Sequence, residues 1–274
     1  MVAFAANSLL CRMALGRELI DAASFASIRI AAGAVTLVLI LLIRGNRTKI
    51  APDWPGVAAL FCYMVCFSFA YLSLTAGTGA LLLFGAVQLT MFIAAIRGGE
   101  RFTPVSWAGL GGAFTGLVYL VAPGVAAPDP TGAVLMVTAG IAWGAYSLIG
   151  RSAGRPLLAT TANFLYSVPP AIGLSLLFIG SADVSVTGAL LAIASGALAS
   201  GLGYAIWYAA LPGLTAGRAA TVQLSVPVIA ALGGVLLLSE QITLRLVVAS
   251  SLTIGGIWLV LNSRNTMPVT PSSD

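Results

Sequence analysis

Histidine is absent from this 274-residue chain, cysteine occurs three times, and Asp and Glu together number eight. The first absence removes the ligands of a His-Glu-x-x-His metalloprotease and the base of a Ser-His hydrolase, so the chain is expected not to be an enzyme. Cys11, Cys62 and Cys66 are odd in number and all lie inside apolar runs. They read as small packing residues, not as a disulfide framework or a metal site. No Gly-rich Walker element appears, and the breaks between apolar runs are too short to hold a nucleotide-binding domain. No cofactor is expected. The carboxylates (Glu18, Asp21, Asp53, Glu100, Asp129, Asp183, Glu240 and Asp274) fall in loops, at the ends of apolar runs or in the tail. Proton-driven carriers commonly embed an Asp, Glu or His in the membrane. None is present here, so the sequence points to facilitated, gradient-driven movement or to coupling through an unobvious group.

What the chain does contain is apolar length. Hydrophobic residues make up 59%, charged residues 8%, and the mean hydropathy is +1.03, values that belong in a bilayer. A membrane span needs roughly 20 mostly apolar residues. Ten candidate spans follow, at 1–14, 22–43, 55–76, 80–96, 104–122, 131–150, 160–180, 188–210, 218–238 and 243–261. The first is short and lacks the basic start and cleavage site of a signal peptide; either helix 1 is short or the native start lies upstream. Long uninterrupted runs exclude an outer-membrane barrel.

The chain repeats itself. VQLTMFIAAIRGGERFT (87–103) is echoed by VQLSVPVIAALGGVLLLSEQIT (222–243). Residues 99–121 align with 239–261 without a gap, so that Glu100 meets Glu240, Thr103 meets Thr243 and Gly116 meets Gly256. FAANSLLCR (4–12) lies over WGAYSLIGR (143–151), and FAYLSLTAG (69–77) more loosely over YAIWYAALP (204–212). Two related halves of five spans each are expected, 1–122 and 131–261, followed by a short cytoplasmic tail at 262–274. An odd number of spans inverts the second half, the plan of many secondary transporters.

Charge placement tests that topology. Arg44, Arg47, Lys49, Arg97, Arg101, Arg151, Arg155, Arg218 and Arg264 fall on one side, and Arg12, Arg17 and Arg245 on the other. The positive-inside rule then puts both termini in the cytoplasm. The basic pI of about 9.4 reflects membrane anchoring; no nucleic-acid partner is expected.

FASIRIAAGAVTLVLILLI (25–43), the paired Glu-x-x-Thr starts and VQLSVPVIAALGGVLLLSE (222–240) resemble the drug/metabolite transporter superfamily, EamA type. The resemblance covers nearly the whole chain. It implies an all-α polytopic fold of ten transmembrane helices in two inverted five-helix repeats, cytoplasmic termini, a bacterial inner-membrane location and export of metabolites. Within the family, the YddG-type exporters of aromatic amino acids are the nearest in character. One departure stands out: the second half has five more residues between VQL and Glu, and Pro227 where the first has Phe92.

Inverted-repeat carriers bind substrate near the midplane between repeats. Polar and aromatic residues in mid-span are therefore the candidates: Asn7 and Ser8 on helix 1; Tyr63, Phe67 and Tyr71 at i, i+4, i+8 on helix 3; Trp143, Tyr146 and Ser147 on helix 6; Tyr204, Trp207 and Tyr208 on helix 8. Such stripes serve either packing or a ligand wall. Gln88 and Gln223 are amides in apolar surroundings, available for helix-to-helix hydrogen bonds or for substrate. Pro227 removes the bond to the carbonyl of Gln223, which suggests a hinge and an acceptor for an ammonium group. Pro169 and Pro170 are expected to bend helix 7. Arg29, about 10 Å along its helix, reads as an anchor that either snorkels or pairs with loop groups such as Asp21, with a substrate carboxylate as the other reading. Glu100 and Glu240 read as helix starters, with substrate contact as the other reading, and the glycines at 109, 112, 116, 255 and 256, with Gly196 and Ser200, as close-packing positions, with a dimer face as the alternative.

The expected activity is alternating-access export of bulky, partly apolar molecules, aromatic amino acids first. A lipophilic-cation exporter using the same aromatic faces and a non-transporting scaffold subunit are the alternatives. The expected partners are a small-molecule substrate and lipid, with the chain a monomer or homodimer.

Overall fold

In a bilayer every backbone N–H and C=O must find an internal partner, and the computed structural model answers with helices throughout. Residues 1–45, 50–99, 102–124, 126–151, 153–210 and 222–263 are described, Tyr208 by its backbone alone. Glu100, Arg47, Lys49, Arg101, Arg218, Arg264 and the tail from 264 onward lie outside the described residues, as does the Tyr208 side chain.

In chain order the helices are α1 (Val2–Leu15), α2 (Ala22–Ile43), α3 (Trp54–Ala70), α4 (Ala76–Arg97), α5 (Pro104–Val121), α6 (Pro130–Arg151) and α7 (Pro156–Leu177). A rod follows, made of α8 (Val186–Ala194), a π-helical turn (Ser195–Leu202) and α9 (Gly203–Ala210); then come α10 (Ser225–Leu238) and α11 (Leu244–Ser263). Among the described residues, α2, α4, α5, α6, α11 and the stretch Val186–Trp207 are long and apolar enough to span a membrane. The shorter α1, α3 and α10 are apolar too, while α7 has the length but buries Thr160, Thr161, Asn163 and Ser167. Bulky apolar side chains such as Ile43 (85% exposed), Leu177 (82%) and Leu236 (80%) point outward, as they must when the solvent is lipid. The protein is a multi-pass membrane protein.

Short polar side chains start many of the helices by accepting an orphan backbone N–H. Asp21 takes the N–H of Ser24 at 2.8 Å, Thr75 that of Thr78 at 3.3 Å, Asp129 that of Gly132 at 2.7 Å and Ser185 that of Gly188 at 3.0 Å. Thr103 and Thr243, which coincide when 99–121 is aligned with 239–261, do the same for Ser106 and Leu246. Glu240 instead caps α4, receiving the Ala76 N–H at 2.9 and 3.1 Å. A left-handed Ser239 (φ 56°) turns the chain at the end of α10 and carries the carboxylate away from its own helix.

Lipid gives no hydrophobic push between helices, so small residues and tight packing hold the bundle. The α5–α11 contact is the clearest case. A Cβ on Gly256 would collide with the Gly109 carbonyl, and one on Gly116 with Thr253 and the Ala249 carbonyl. Gly112 sits in looser contact, and Gly255 faces open space. Antiparallel α5 and α11 also join through Ser106 and Ser263, whose hydroxyls lie 2.6 Å apart.

Pro227 falls in the first turn of α10, where a missing N–H costs no intrahelical bond. Val222 and Gln223 are themselves helical and Leu224 breaks them from α10, so the helix is interrupted about one turn before Pro227. Pro169 and Pro170 do lie inside α7.

Candidate substrate site

Side chains from several helices converge on one cleft. Phe4 and Asn7 stand one turn apart on α1, Tyr63 and Phe67 one turn apart on α3; Leu83 and Phe84 come from α4, Trp143 from α6 and Tyr204 from α9. The cleft is so narrow that its centre admits about one water molecule.

Trp143 is the hub of the walls. Its ring centroid lies 4.9 Å from Tyr63, 5.0 Å from Tyr204 and 6.2 Å from Phe4, in the tilted and edge-on arrangements aromatic pairs prefer. Phe4 adds edge contacts to Tyr204 at 5.8 Å and Trp207 at 6.1 Å.

Polar groups are few and linked. Asn7 donates to the Tyr63 hydroxyl at 3.4 Å and accepts from Ser195 at 2.5 Å. Tyr63 also receives Arg29 Nη2 at 3.0 Å, and Arg29 Nε reaches Ser200 Oγ at 3.3 Å. The π-turn explains how one rod serves both. In an α-helix, residues five apart face about 140° away from each other; an i→i+5 pattern brings them to one side. Ser195 and Ser200 are five apart, as are Gly196 and Gly201, which let α2 approach closely at Arg29 and Thr36.

Of the residues expected from sequence, Asn7, Tyr63, Phe67, Trp143 and Tyr204 line the cleft. Trp207 stands behind Phe4. Tyr146 is buried against Trp143 and donates to Thr160 at 3.3 Å. Tyr71 is buried nearer the end of the bundle, donating to the Ala76 carbonyl at 3.4 Å. Gln88 and Gln223 are partly exposed and do not line the cleft. Sequence patterning misses Phe4, although it begins the FAANS stripe, and also Leu83 and Phe84. Arg29 is no snorkelling anchor: it is fully buried, since helical rise gives depth along an axis but not the face a side chain takes. The SGALASG stretch (195–201), a Ser-Gly pair repeated at five residues, is the available signal for the π-turn.

At the bundle end beyond Tyr71, Arg12 closes over the structure. Its guanidinium meets Glu240 at 3.4 Å and donates to the Tyr71 and Leu72 carbonyls at 3.1 and 3.2 Å. Burial pushes the Glu240 carboxyl above the usual carboxylate range, outweighing the downward pull of the Ala76 N–H and of Arg12.

Comparison with known proteins fits this architecture. Residues 130–262 match the EamA-like transporter family. The chain is 50% identical to an uncharacterized protein of Pseudomonas aeruginosa over 265 residues, 96% of this chain and 92% of that one. It is 31% identical to an uncharacterized transporter of Archaeoglobus fulgidus, over 88% of this chain and 89% of the other. A solved crystal structure with 20% sequence identity shares the fold, with a TM-score of 0.67 over 96% of this chain and 97% of that one.

Proposed function

The chain belongs to the EamA-like transporter family, and we propose that it exports small metabolites, aromatic amino acids first, by alternating access around the cleft. The observation that carries this is the cleft's wall: tilted and edge-on aromatic rings, with a buried amide and a phenol, at the meeting point of α1, α3, α4, α6 and α9. Rings offer area and stacking to an aromatic side chain; Asn7 and Tyr63 orient a polar head.

Two inverted five-helix repeats, 1–122 and 131–261, are part of the reading. Packing supports it: α3 lies on α6 as the α8–α9 rod lies on α1, and α4 lies on α6 as α10 lies on α1. α2 pairs with α7, and α5 with α11, across the halves. Such exchange symmetry gives two conformations of similar energy, one open to each side. Both termini would be cytoplasmic in a bacterial inner membrane, since Arg44, Arg97, Arg151 and Arg155 outnumber Arg12, Arg17 and Arg245 at the opposite side. The cleft is narrow and must widen to admit a substrate, through movement of Phe4 and Trp143 and breakage of the Arg12–Glu240 contact. Gln88, Gln223, Trp207 and Tyr208 would meet substrate on its way through the other conformation, with Pro227 near the point of bending.

Counterflow of radiolabelled phenylalanine into proteoliposomes holding the purified chain tests the proposal. Saturable uptake blocked by unlabelled tryptophan is the expected result. No exchange by folded protein would refute it.

A further inference from the structure

Among the described residues Arg29 is the one charged side chain that is buried, at 0% exposed, and it lies within a membrane-spanning helix. Its neighbours are neutral: Tyr63 and Ser200 through hydrogen bonds, and the faces of Phe67 and Tyr63 at 4.7 and 5.4 Å from the guanidinium carbon. Nη1 has no hydrogen-bond partner among the described residues. Neither has the Tyr204 hydroxyl, buried beside that of Tyr63. A guanidinium stays charged, and a buried charge without a counter-charge is costly. Stacking and two neutral acceptors reduce that cost without cancelling it. The rings that contact Arg29 also line the cleft, so the cation lies one side chain behind the wall.

We infer that Arg29, with the Tyr63 and Tyr204 hydroxyls and Asn7, forms a site for the anionic head of the substrate, a carboxylate whose apolar body lies among Phe4, Phe84 and Trp143. This rests on the transport reading and deepens it, naming substrates with an acidic head and disfavouring lipophilic cations, which the guanidinium repels. It also gives Tyr63 its role: the hydroxyl links the Arg29 and Asn7 donors, so that a carboxylate displacing it would gain both.

The same anion chemistry could be met by chloride, and the experiment separates the two sources. Thermal unfolding of the purified wild-type protein is followed with 3-phenylpropionate, with phenethylamine and with chloride, each against a gluconate background. The readout needs no transport, so it stands even if phenylalanine counterflow fails. Stabilisation by 3-phenylpropionate, with phenethylamine weaker by about tenfold or more in concentration, is expected. Equal effects of the two aromatic compounds, or stabilisation by chloride alone, would overturn the substrate-head assignment. Arg29→Lys should weaken the phenylpropionate effect and Arg29→Gln abolish it. Should Arg29→Gln fail to fold, Tyr204→Phe, which removes a hydroxyl lacking a partner, should still weaken phenylpropionate selectively; an unchanged response would count against the site.

Discussion

Arg12 and Glu240, 228 residues apart in the chain, meet at 3.4 Å where α1 and α10 both end. The carboxylate also holds the first N–H of α4, and the guanidinium also holds the carbonyls of Tyr71 and Leu72, just past the end of α3. This cluster thus ties four helix ends: parting α10 from α1 must break the ion pair, and parting α10 from α4 must break the bonds from the Ala76 N–H.

This contact predicts a pH dependence. Glu240 is raised above the usual carboxylate range by burial, so the tied state binds a proton more tightly than a state with Glu240 in water. The proton-linked stabilisation is fully present below the ordinary carboxylate pKa and is lost as pH rises through the raised value. Raising the pH through that window should favour opening at this end and speed counterflow. Glu240→Gln should flatten the profile; a slope matching wild type would remove Glu240 as its source.

Trp143 touches Phe4, Tyr63, Tyr146 and Tyr204. Trp143→Ala should lower apparent affinity for phenylalanine by about tenfold, the worth of one or two aromatic pairs. Trp143→Phe should recover most of it. Competition curves in counterflow measure both, and an unaffected alanine variant would argue against stacking as the basis of recognition.

The π-turn makes a sharper demand. A side chain at Gly196 would strike the Arg29 carbonyl and Ala32, so Gly196→Leu should push the rod from α2 and cost at least about 1–3 kcal/mol, as overpacking does. Gly203→Ala, in the same rod, meets the Ala3 side chain at 3.1 Å and the Leu198 carbonyl at 3.5 Å and should be far milder. Thermal unfolding in detergent compares them, and equal stability of the two variants would contradict the close approach.

Most of the helix layout is legible in the sequence because lipid imposes one rule on every span: a long apolar run with its backbone closed on itself. The stripes on α1, α3, α6 and α9 also reveal Asn7, Tyr63, Phe67, Trp143 and Tyr204, whose helical spacing fixes which residues share a face. It does not fix which way that face turns. Tyr71 and Tyr146 share stripes with cleft residues yet sit beyond its ends, and Arg29 faces inward where depth alone suggested the interface. Glu240 looked like the start of its own helix because Glu-x-x-Thr precedes α11; the left-handed Ser239 sends it to α4 instead. A π-turn has no apolar signature, since it changes the hydrogen-bond register and leaves composition alone.

The α5–α11 pair should behave as fixed scaffold. Both helices stand off the cleft, and Gly109, Gly116 and Gly256 are each filled by the opposite helix. Gly256→Leu would drive a branched side chain into the Gly109 carbonyl and the Ala113 backbone, separating the helices and disturbing the Ser106–Ser263 contact. A large fall in unfolding temperature is expected. Gly112→Ala should be tolerated, because its Cβ would meet neighbours at 3.9 Å, an ordinary contact, and alanine favours helix by about 1 kcal/mol over glycine. Apparent affinity for phenylalanine in the folded fraction of each variant should match wild type. A changed affinity with intact folding would mean that this pair moves during transport, and the division into rigid and mobile helices would have to be redrawn around it.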